Sequence, residues 1–423
     1  MKIDQRSRIV DAAFDEWGKT HFANTSLSLV ASRLSVTKQA IYRHFANKDA
    51  LIAEMVRRLA TDYAAITDGF DAALAAAESE SSIERVLTAF VTGYMVFFKA
   101  NPNYYMFISM YFAHSRKFEG GQLQSETARQ RDHLHQALKR LRPGLTDLLW
   151  ELVLQHITLT TWLISAVFFW TVEGEKRAAS AVDSVSFQNH VSRTVTILKD
   201  GLLPGAAGNI DFARLEQHFT VASAELLAPG RIVTAVEQAV SENGLGNASL
   251  ERIAHHAGIS KSTIYFHFTN KDDMLTQMIL HEQSQFTTIW QTKVAGTDDI
   301  GGRIYGYMIT LSSYFSRNSA LLSMFEWLRY RRIKPHLSPE KREQLEEPLT
   351  FLRRAMEKDG SIGNGLTFSQ VAAVLWAIVL WRVFMLRPRF NSDETVRSMR
   401  TTYQLLALGI ERGMTGKECD LDE

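Results

Sequence analysis

Residues 37–45 read Thr-Lys-Gln-Ala-Ile-Tyr-Arg-His-Phe, and residues 260–268 read Ser-Lys-Ser-Thr-Ile-Tyr-Phe-His-Phe. Each stretch runs on into the same tripeptide, Asn47-Lys48-Asp49 and Asn270-Lys271-Asp272. The offset of 223 residues holds without a gap from Arg8/Arg231 to Asp49/Asp272, and 16 of those 42 aligned positions are identical. Self-similarity at so long a period reports two domains of one kind rather than a solenoid.

Around the repeated stretch the apolar residues follow a helical period. Leu27, Val30, Ala31 and Leu34 fall at i, i+3, i+4 and i+7, which predicts a short helix with one inward face. Ser35-Val36 follows, and Thr37 stands where a helix N-cap is wanted, its hydroxyl placed to accept an orphan amide. In the next helix Ile41 and Phe45 share the inward face, while Lys38 with Tyr42 and Gln39 with Arg43 share outer ones. The second copy repeats the plan with Leu250, Ile253, Ala254 and Ala257 inward, Gly258 in the turn and Ser260 as the cap. Two short helices joined by a tight turn make a helix-turn-helix, whose second helix enters the DNA major groove.

The pattern resembles the TetR (tetracycline-repressor-like) family of transcriptional regulators. Thr25-Ser26-Leu27, Val30-Ala31, Val36-Thr37-Lys38, Ile41 to Phe45 and Asn47-Lys48-Asp49 carry the resemblance in the first copy. Ile253-Ala254, Ala257 to Lys261, Ile264 to Phe268 and Asn270-Lys271-Asp272 carry it in the second. It covers about 45 residues per copy; beyond them only helix order and length agree. The resemblance implies that Thr37, Lys38, Gln39 and Tyr42 touch DNA, with Thr25, His44 and Lys48 on phosphates. Ser260, Lys261, Ser262, Tyr265, His267 and Lys271 take those roles in the second copy. It further implies that the helix after Asn47 joins each head to a ligand-binding body, and that the last two helices of each copy form a dimerisation pair. Two departures stand out: Ser35 occupies the turn position of Gly258, and Ala248 occupies that of Thr25.

Composition excludes several classes. The 423 residues suffice for two or three domains with full cores, and an apolar share of 46% describes a soluble globular chain. A single cysteine, Cys419, rules out an internal disulfide framework and fits a reducing cytoplasm. The first residues lack the apolar segment of a signal peptide, and the apolar runs Trp162–Trp170 and Val371–Trp381 are too short to span a bilayer. Net charge is only +1, so DNA affinity has to come from a local surface. Residues 1–56 hold eight basic against six acidic side chains, and residues 229–280 hold four against five. The first head is therefore expected to bind DNA more strongly.

Along the chain, residues 4–20 predict an amphipathic helix, and a second helix runs from Lys48 to about Ile66. Val86, Phe90, Tyr94, Phe97 and Phe98 line another, stopped at Asn101-Pro102, and Tyr104 to Phe112 begins the next. The aromatic density reads either as core packing or as a pocket for an apolar or aromatic molecule. In the pocket reading the candidates are Tyr94, Phe98, Tyr104, Tyr105, Trp162, Tyr307, Phe315 and Trp327. The closing helix pairs are Leu145–Thr171 with Val185–Leu203, and Thr367–Leu386 with Thr395–Arg412. Both pairs end in Leu-x-x-Gly-(Leu/Ile)-x-x-Gly, at Leu198–Gly205 and Leu406–Gly413. Between the copies, Pro204 to Gly208 breaks the chain and Asp211–Leu227 predicts a linker helix about 25 Å long. The basic run Arg329 to Lys334 reads as a solvated helix end. His133-x-His135 and His255-His256 have no partners at metal-ligand spacing, and no phosphate loop or nucleophile–base set appears.

The sequence thus predicts an all-α tandem duplication of a TetR-like unit, non-enzymatic, cytoplasmic, and without metal or cofactor. Its parts are a first head (1–50), a first body (51–205), a linker helix (206–228), a second head (229–273) and a second body (274–423). The expected partners are an operator in double-stranded DNA and a small-molecule effector, with the two halves forming an intramolecular pseudo-dimer or, alternatively, a homodimer of tandem chains. A different class of reading keeps a ligand- or partner-binding protein in which one or both heads have lost DNA binding.

Overall fold

The computed structural model describes residues 4–17, 26–75, 82–104, 107–108, 121–170, 184–203, 210–226, 230–243, 248–317, 339–386 and 392–413. Among the described residues the chain forms helices and turns and no strand. The first copy gives α1 (Gln5–Trp17), α2 (Leu27–Arg33), α3 (Lys38–Tyr42), α4 (Lys48–Ala75), α5 (Ile83–Ala100), α6 (Gln122–Leu141), α7 (Asp147–Trp170) and α8 (Val185–Asp200). After α9 (Phe212–Phe219) the second copy gives α10 (Arg231–Asn243), α11 (Leu250–His256), α12 (Lys261–His267), α13 (Lys271–Val294) and α14 (Ile300–Ser316). It closes with α15 (Pro339–Glu346), α16 (Thr350–Lys358), α17 (Phe368–Leu386) and α18 (Ser392–Gly413).

These helices gather into two compact units. Of the described residues, one unit holds those within 4–143 and 239–249, the other those within 144–238, 250–317 and 339–413. In the first, Ile9, Val10, Ala13 and Phe14 of α1 are buried with Leu27, Val30 and Ala31 of α2 and with Ile41 and Phe45. Each of the Ile, Val, Leu and Phe side chains among them contributes roughly 1.5–3 kcal/mol by leaving water, and the alanines less. Helix α4 then packs along α5 and α6 and runs nine residues past Ile66, its expected end. Thr67 and Phe70 explain the extension, since both are buried and Phe70 meets Phe90 edge-on at 6.2 Å. Polar contacts thread the same interface. The Tyr63 and Tyr94 hydroxyls lie 2.7 Å apart, and Tyr63 donates to Gln130 Oε1 at 2.6 Å.

In the second unit the linker departs from expectation. Its helix stops at Phe219 instead of running to Leu227, Thr220 turns extended, and a short 3-10 turn follows at Ser223–Glu225. The cause is tertiary. The Val221 amide donates to Ser313 Oγ (2.9 Å), its carbonyl accepts from Arg317, and Lys293 Nζ donates to the carbonyls of His218 and Thr220 (3.1 and 3.2 Å). Those bonds satisfy the backbone without a helix. Glu216 anchors α9 as well, accepting from both Nε and Nη2 of Arg400 (3.0 and 2.9 Å) and from the Tyr305 hydroxyl (2.6 Å).

The two closing helix pairs meet within this unit. Helix α7 packs on α17 and α18, and α8 packs on α18. Trp162 lies tilted against Trp381 with ring centres 5.7 Å apart, and Arg382 Nη1 donates to Gln155 Oε1 at 2.6 Å. At the far end the aligned glycines face each other's backbone. A Cβ on Gly201 would strike the Ala407 carbonyl, and one on Gly409 would strike that of Lys199. Gly201 (φ 78°, ψ −176°) and Gly409 (φ 72°, ψ 173°) share a conformation that is essentially glycine-only. The Leu202 and Leu203 amides donate to the carbonyls of Leu406 and Ala407 at 2.8 and 2.9 Å.

Candidate nucleic-acid interface

The helix-turn-helix is built twice by the same hydrogen bonds. In the first copy the amides of Leu34, Ser35 and Val36 donate to the carbonyls of Val30, Ser32 and Ala31. In the second, those of Ala257, Gly258 and Ile259 donate to Ile253, His255 and Ala254, each residue at the 223 offset. Such a turn requires a left-handed residue after the helix. Ser35 adopts φ 54° and Gly258 φ 60°, so the serine takes the glycine's geometry. Caps follow in register: Thr37 Oγ1 accepts from the Ala40 amide (3.3 Å) and Ser260 Oγ from the Thr263 amide (3.0 Å). Asn47 and Asn270 cap α4 and α13 in the same way, at 2.8 and 2.9 Å.

With Ile41 and Ile264 inward, the recognition helices α3 and α12 turn their other faces to solvent. Thr37, Lys38, Gln39, Tyr42 and Arg43 are exposed in the first head, as are Ser260, Lys261, Ser262, Tyr265, Phe266 and His267 in the second. His44, Lys48 and Lys271 are half-buried, and burial lowers the Lys48 pKa. Thr25 lies outside the described residues. Behind α3, the Arg6 guanidinium sits 4.5 Å over the Phe45 ring and donates to the His44 carbonyl (3.1 Å) and to Glu54 (3.2 Å).

Internal pairing redistributes the charge that composition counted. Arg6 is held by Glu54, and Arg33 is held by Asp15 and Glu16. Lys38 on α3 and Arg43 at its C-cap remain exposed, with Lys38 Nζ 5.6 Å above the Tyr42 ring. In the second head Lys261 stands over Tyr265 likewise, at 5.7 Å, but Glu251 of α11 takes both: it lies 3.0 Å from Lys261 Nζ and accepts from the Tyr265 hydroxyl at 2.9 Å. That hydrogen bond and charge raise the pKa of Lys261. Three residues of this surface were not among the expected contacts. Arg43 and its counterpart Phe266 (86% exposed) lie one turn beyond Gln39 and Ser262, a spacing visible in the sequence. Glu251 is ten residues from Lys261, and only the fold brings them together.

The described candidate ligand residues pack against other aromatic side chains. Tyr94 and Phe98 are buried with their rings 5.5 Å apart, and burial pushes the Tyr94 hydroxyl up to about 12. Tyr104 is buried and donates to Asp62 at 2.6 Å. Tyr307 lies edge-on to Phe286 and Trp290, Phe315 beside Tyr314, and Trp162 beside Trp381. Tyr105, Trp327 and the basic run Arg329 to Lys334 lie outside the described residues. A groove of about 870 Å³ in the second unit, lined by Asp211, Arg214, His218, Thr297 and Asp298 among others, includes none of the expected aromatics. His133 Nδ1 lies 2.8 Å from Asp71, and no cluster of metal-ligating side chains occurs among the described residues. Nor is any described helix long and apolar enough to cross a membrane.

Comparison with a known family bears on the same two stretches. The family described as bacterial regulatory proteins, tetR family, matches residues 9–55 and again residues 232–278. The fatty acid metabolism regulator protein of Bacillus subtilis (strain 168) is 34% identical over 56 residues, 13% of this chain and 29% of that protein. The HTH-type transcriptional regulator UidR of Escherichia coli (strain K12) is 32% identical over 66 residues, 16% of this chain and 34% of that one. The similarity thus spans about a third of those relatives' length. Among solved structures, the fatty acid degradation regulator FadR from Bacillus halodurans aligns over 44% of this chain and 100% of its own, at 16% identity and a TM-score of 0.35.

Proposed function

We propose that this chain, which carries two tandem domains of the tetR family of bacterial regulatory proteins, is a cytoplasmic transcriptional repressor that releases DNA when a small apolar or aromatic molecule binds. The observation that supports the reading best is the helix-turn-helix built twice, with the same turn, the same caps and an outward polar face on α3 and α12. Phosphate contacts fix register and base contacts carry sequence. Lys38 and Lys48, with Thr25 and His44, serve the phosphates, and Gln39 reads bases with Tyr42 and Thr37 beside it. Ser260, Lys261, Ser262, Tyr265, His267 and Lys271 form the second set.

The reciprocal approach of Gly201 and Gly409 supports an intramolecular pseudo-dimer, because aligned positions exchange contacts as they do across a two-fold axis. In this arrangement one chain covers one operator. Its half-sites differ, since Gln39 and Arg43 are answered by Ser262 and Phe266. The division into heads 1–50 and 229–273, bodies 51–205 and 274–423 and a linker 206–228 follows the repeat. Glu251 favours one variant reading, in which the second head binds DNA weakly or not at all.

Selection of bound duplexes from a random pool tests the function, followed by a salt series. A regulator of this kind yields a consensus and loses affinity steeply with salt. Lys38→Ala is expected to weaken binding on all sequences alike, and Gln39→Ala to change which bases are preferred. Failure to enrich any sequence, with no salt-dependent binding, would sink the proposal.

A further inference from the structure

The two heads form an internal comparison, since the same lysine–tyrosine pair stands on both recognition helices. Lys38 and Tyr42 match Lys261 and Tyr265 in sequence, in the N-cap before them and in the 5.6 and 5.7 Å approach of ammonium to ring. They differ in what stands across the turn. Position 28 is an exposed serine, and its counterpart at the 223 offset is Glu251, in the first turn of α11. Among the described residues no carboxylate pairs with Lys38, whereas Glu251 holds Lys261 Nζ at 3.0 Å and the Tyr265 hydroxyl at 2.9 Å. One carboxylate thus occupies two of the side chains assigned to DNA in the second head.

We propose that Glu251 makes the second head the electrostatically weak partner of the pair, by occupying Lys261 and Tyr265 and by setting a negative charge beside the path of the DNA backbone. This rests on the DNA-binding reading above. Both members of the ion pair are exposed, Lys261 by 68% and Glu251 by 43%, so the pair is weak and opens when DNA arrives. The carboxylate stays. It offsets the lysine's attraction for phosphate, so the second head contributes little counterion release and discriminates through its hydroxyls and Phe266 instead. Ser260, Ser262 and Thr263 link their hydroxyls at 2.8 Å, and Phe266 projects where the first head carries Arg43. A protein that meets DNA this way sets its affinity with one head and adds selectivity with the other.

The test measures the full chain on a labelled random-sequence duplex of about 40 base pairs, across a salt series. Glu251→Gln keeps the shape and a hydrogen-bonding partner for Tyr265 while removing the charge. It is expected to steepen the slope of log affinity against log salt by roughly 0.9, the equivalent of one phosphate contact. Lys261→Ala then reports the coupling: a small effect in the parent chain and a several-fold loss in the Glu251→Gln background. The reciprocal change, Ser28→Glu, is expected to weaken binding and flatten the slope. Circular dichroism melts confirm that each variant is folded. If the parent binds the duplex and Glu251→Gln leaves slope and affinity unchanged, this proposal falls and the DNA-binding reading stands. If no variant binds DNA at any salt, both fall together.

Discussion

At the scale of single residues, Ser35 shows how the fold can overrule a local preference. A left-handed backbone costs a non-glycine residue about 1–2 kcal/mol, yet Ser35 adopts φ 54° because the turn bonds of Ser32 and Ala31 demand it. Ser35→Gly is therefore expected to stabilise the first head by about 0.5–1 kcal/mol, the strain relieved less the extra freedom of an unfolded glycine. An unchanged or lower denaturation midpoint would refute that account. The reverse change at Gly258 is not symmetric, since a Cβ there would sit 3.0 Å from Arg231 Nη2. A second residue, His156, is buried in α7, and burial with the nearby Arg382 cation lowers its pKa to about 3. The unfolded imidazole titrates near 6.5, so between those values the unfolded chain binds the extra proton. Stability is then lost as pH falls below 6.5, by up to about 1.4 kcal/mol per unit from this group. His156→Gln should flatten that dependence relative to the parent in denaturant melts between pH 7 and 5. A parallel slope would count against a neutral buried imidazole. Both caps were legible in the sequence, because Thr37 and Ser260 act on amides three residues away. The Glu251–Lys261 pair was not, because nothing local links two short helices across a turn.

At the scale of elements, periodicity located the helices well and their ends less well. Helix α3 could be placed from its cap and from Ile41 alone. Helix α4 was read nine residues short because its end was set at about Ile66, whereas burial of Thr67 and Phe70 carries the helix on to Ala75. Helix α9 was read eight residues too long at its C-terminal end because Phe219, Ala222 and Leu226 keep the spacing of one face. Ser313 and Arg317, more than ninety residues further along the chain, take the backbone of Val221 instead. The aromatic stretch around Tyr94 was open between core and pocket, and the described rings pack on one another, Tyr63 on Tyr94 and Phe70 on Phe90 edge-to-face and Tyr94 on Phe90 and Phe98 at a tilt. The α8 and α18 ends yield a sharp expectation. Gly201→Ala or Gly409→Ala places a methyl group against backbone and forces a glycine-only conformation, costing at least about 3 kcal/mol. Thermal melts by circular dichroism measure it. A variant that melts with the parent would mean that these helix ends do not hold the unit together.

At the scale of the whole molecule, the all-α class and the tandem heads were legible because duplication writes the same motif twice. The grouping into units was not. Helices α7 and α8 belong to the first copy by sequence and to the second unit by packing, and no pattern within either helix announces its partner. The proposed pseudo-dimer predicts a sedimenting mass near the 47.9 kDa of one chain, at micromolar concentration and with selected DNA, and a consensus with unlike half-sites. Twice that mass without DNA, together with a palindromic consensus, would establish a homodimer of tandem chains instead. If the glycine-ended helices that grip one another mark the proposed pseudo-dimer, they carry a consequence for the cell. Two separate polypeptides must meet before they can clasp an operator, so on dilution their active form disappears as the square of their number. Tethered halves see each other at an effective concentration on the order of millimolar whatever the cell contains. In the proposed pseudo-dimer, occupancy would then fall only in proportion to copy number, so that a handful of molecules per cell would suffice to keep a gene under control.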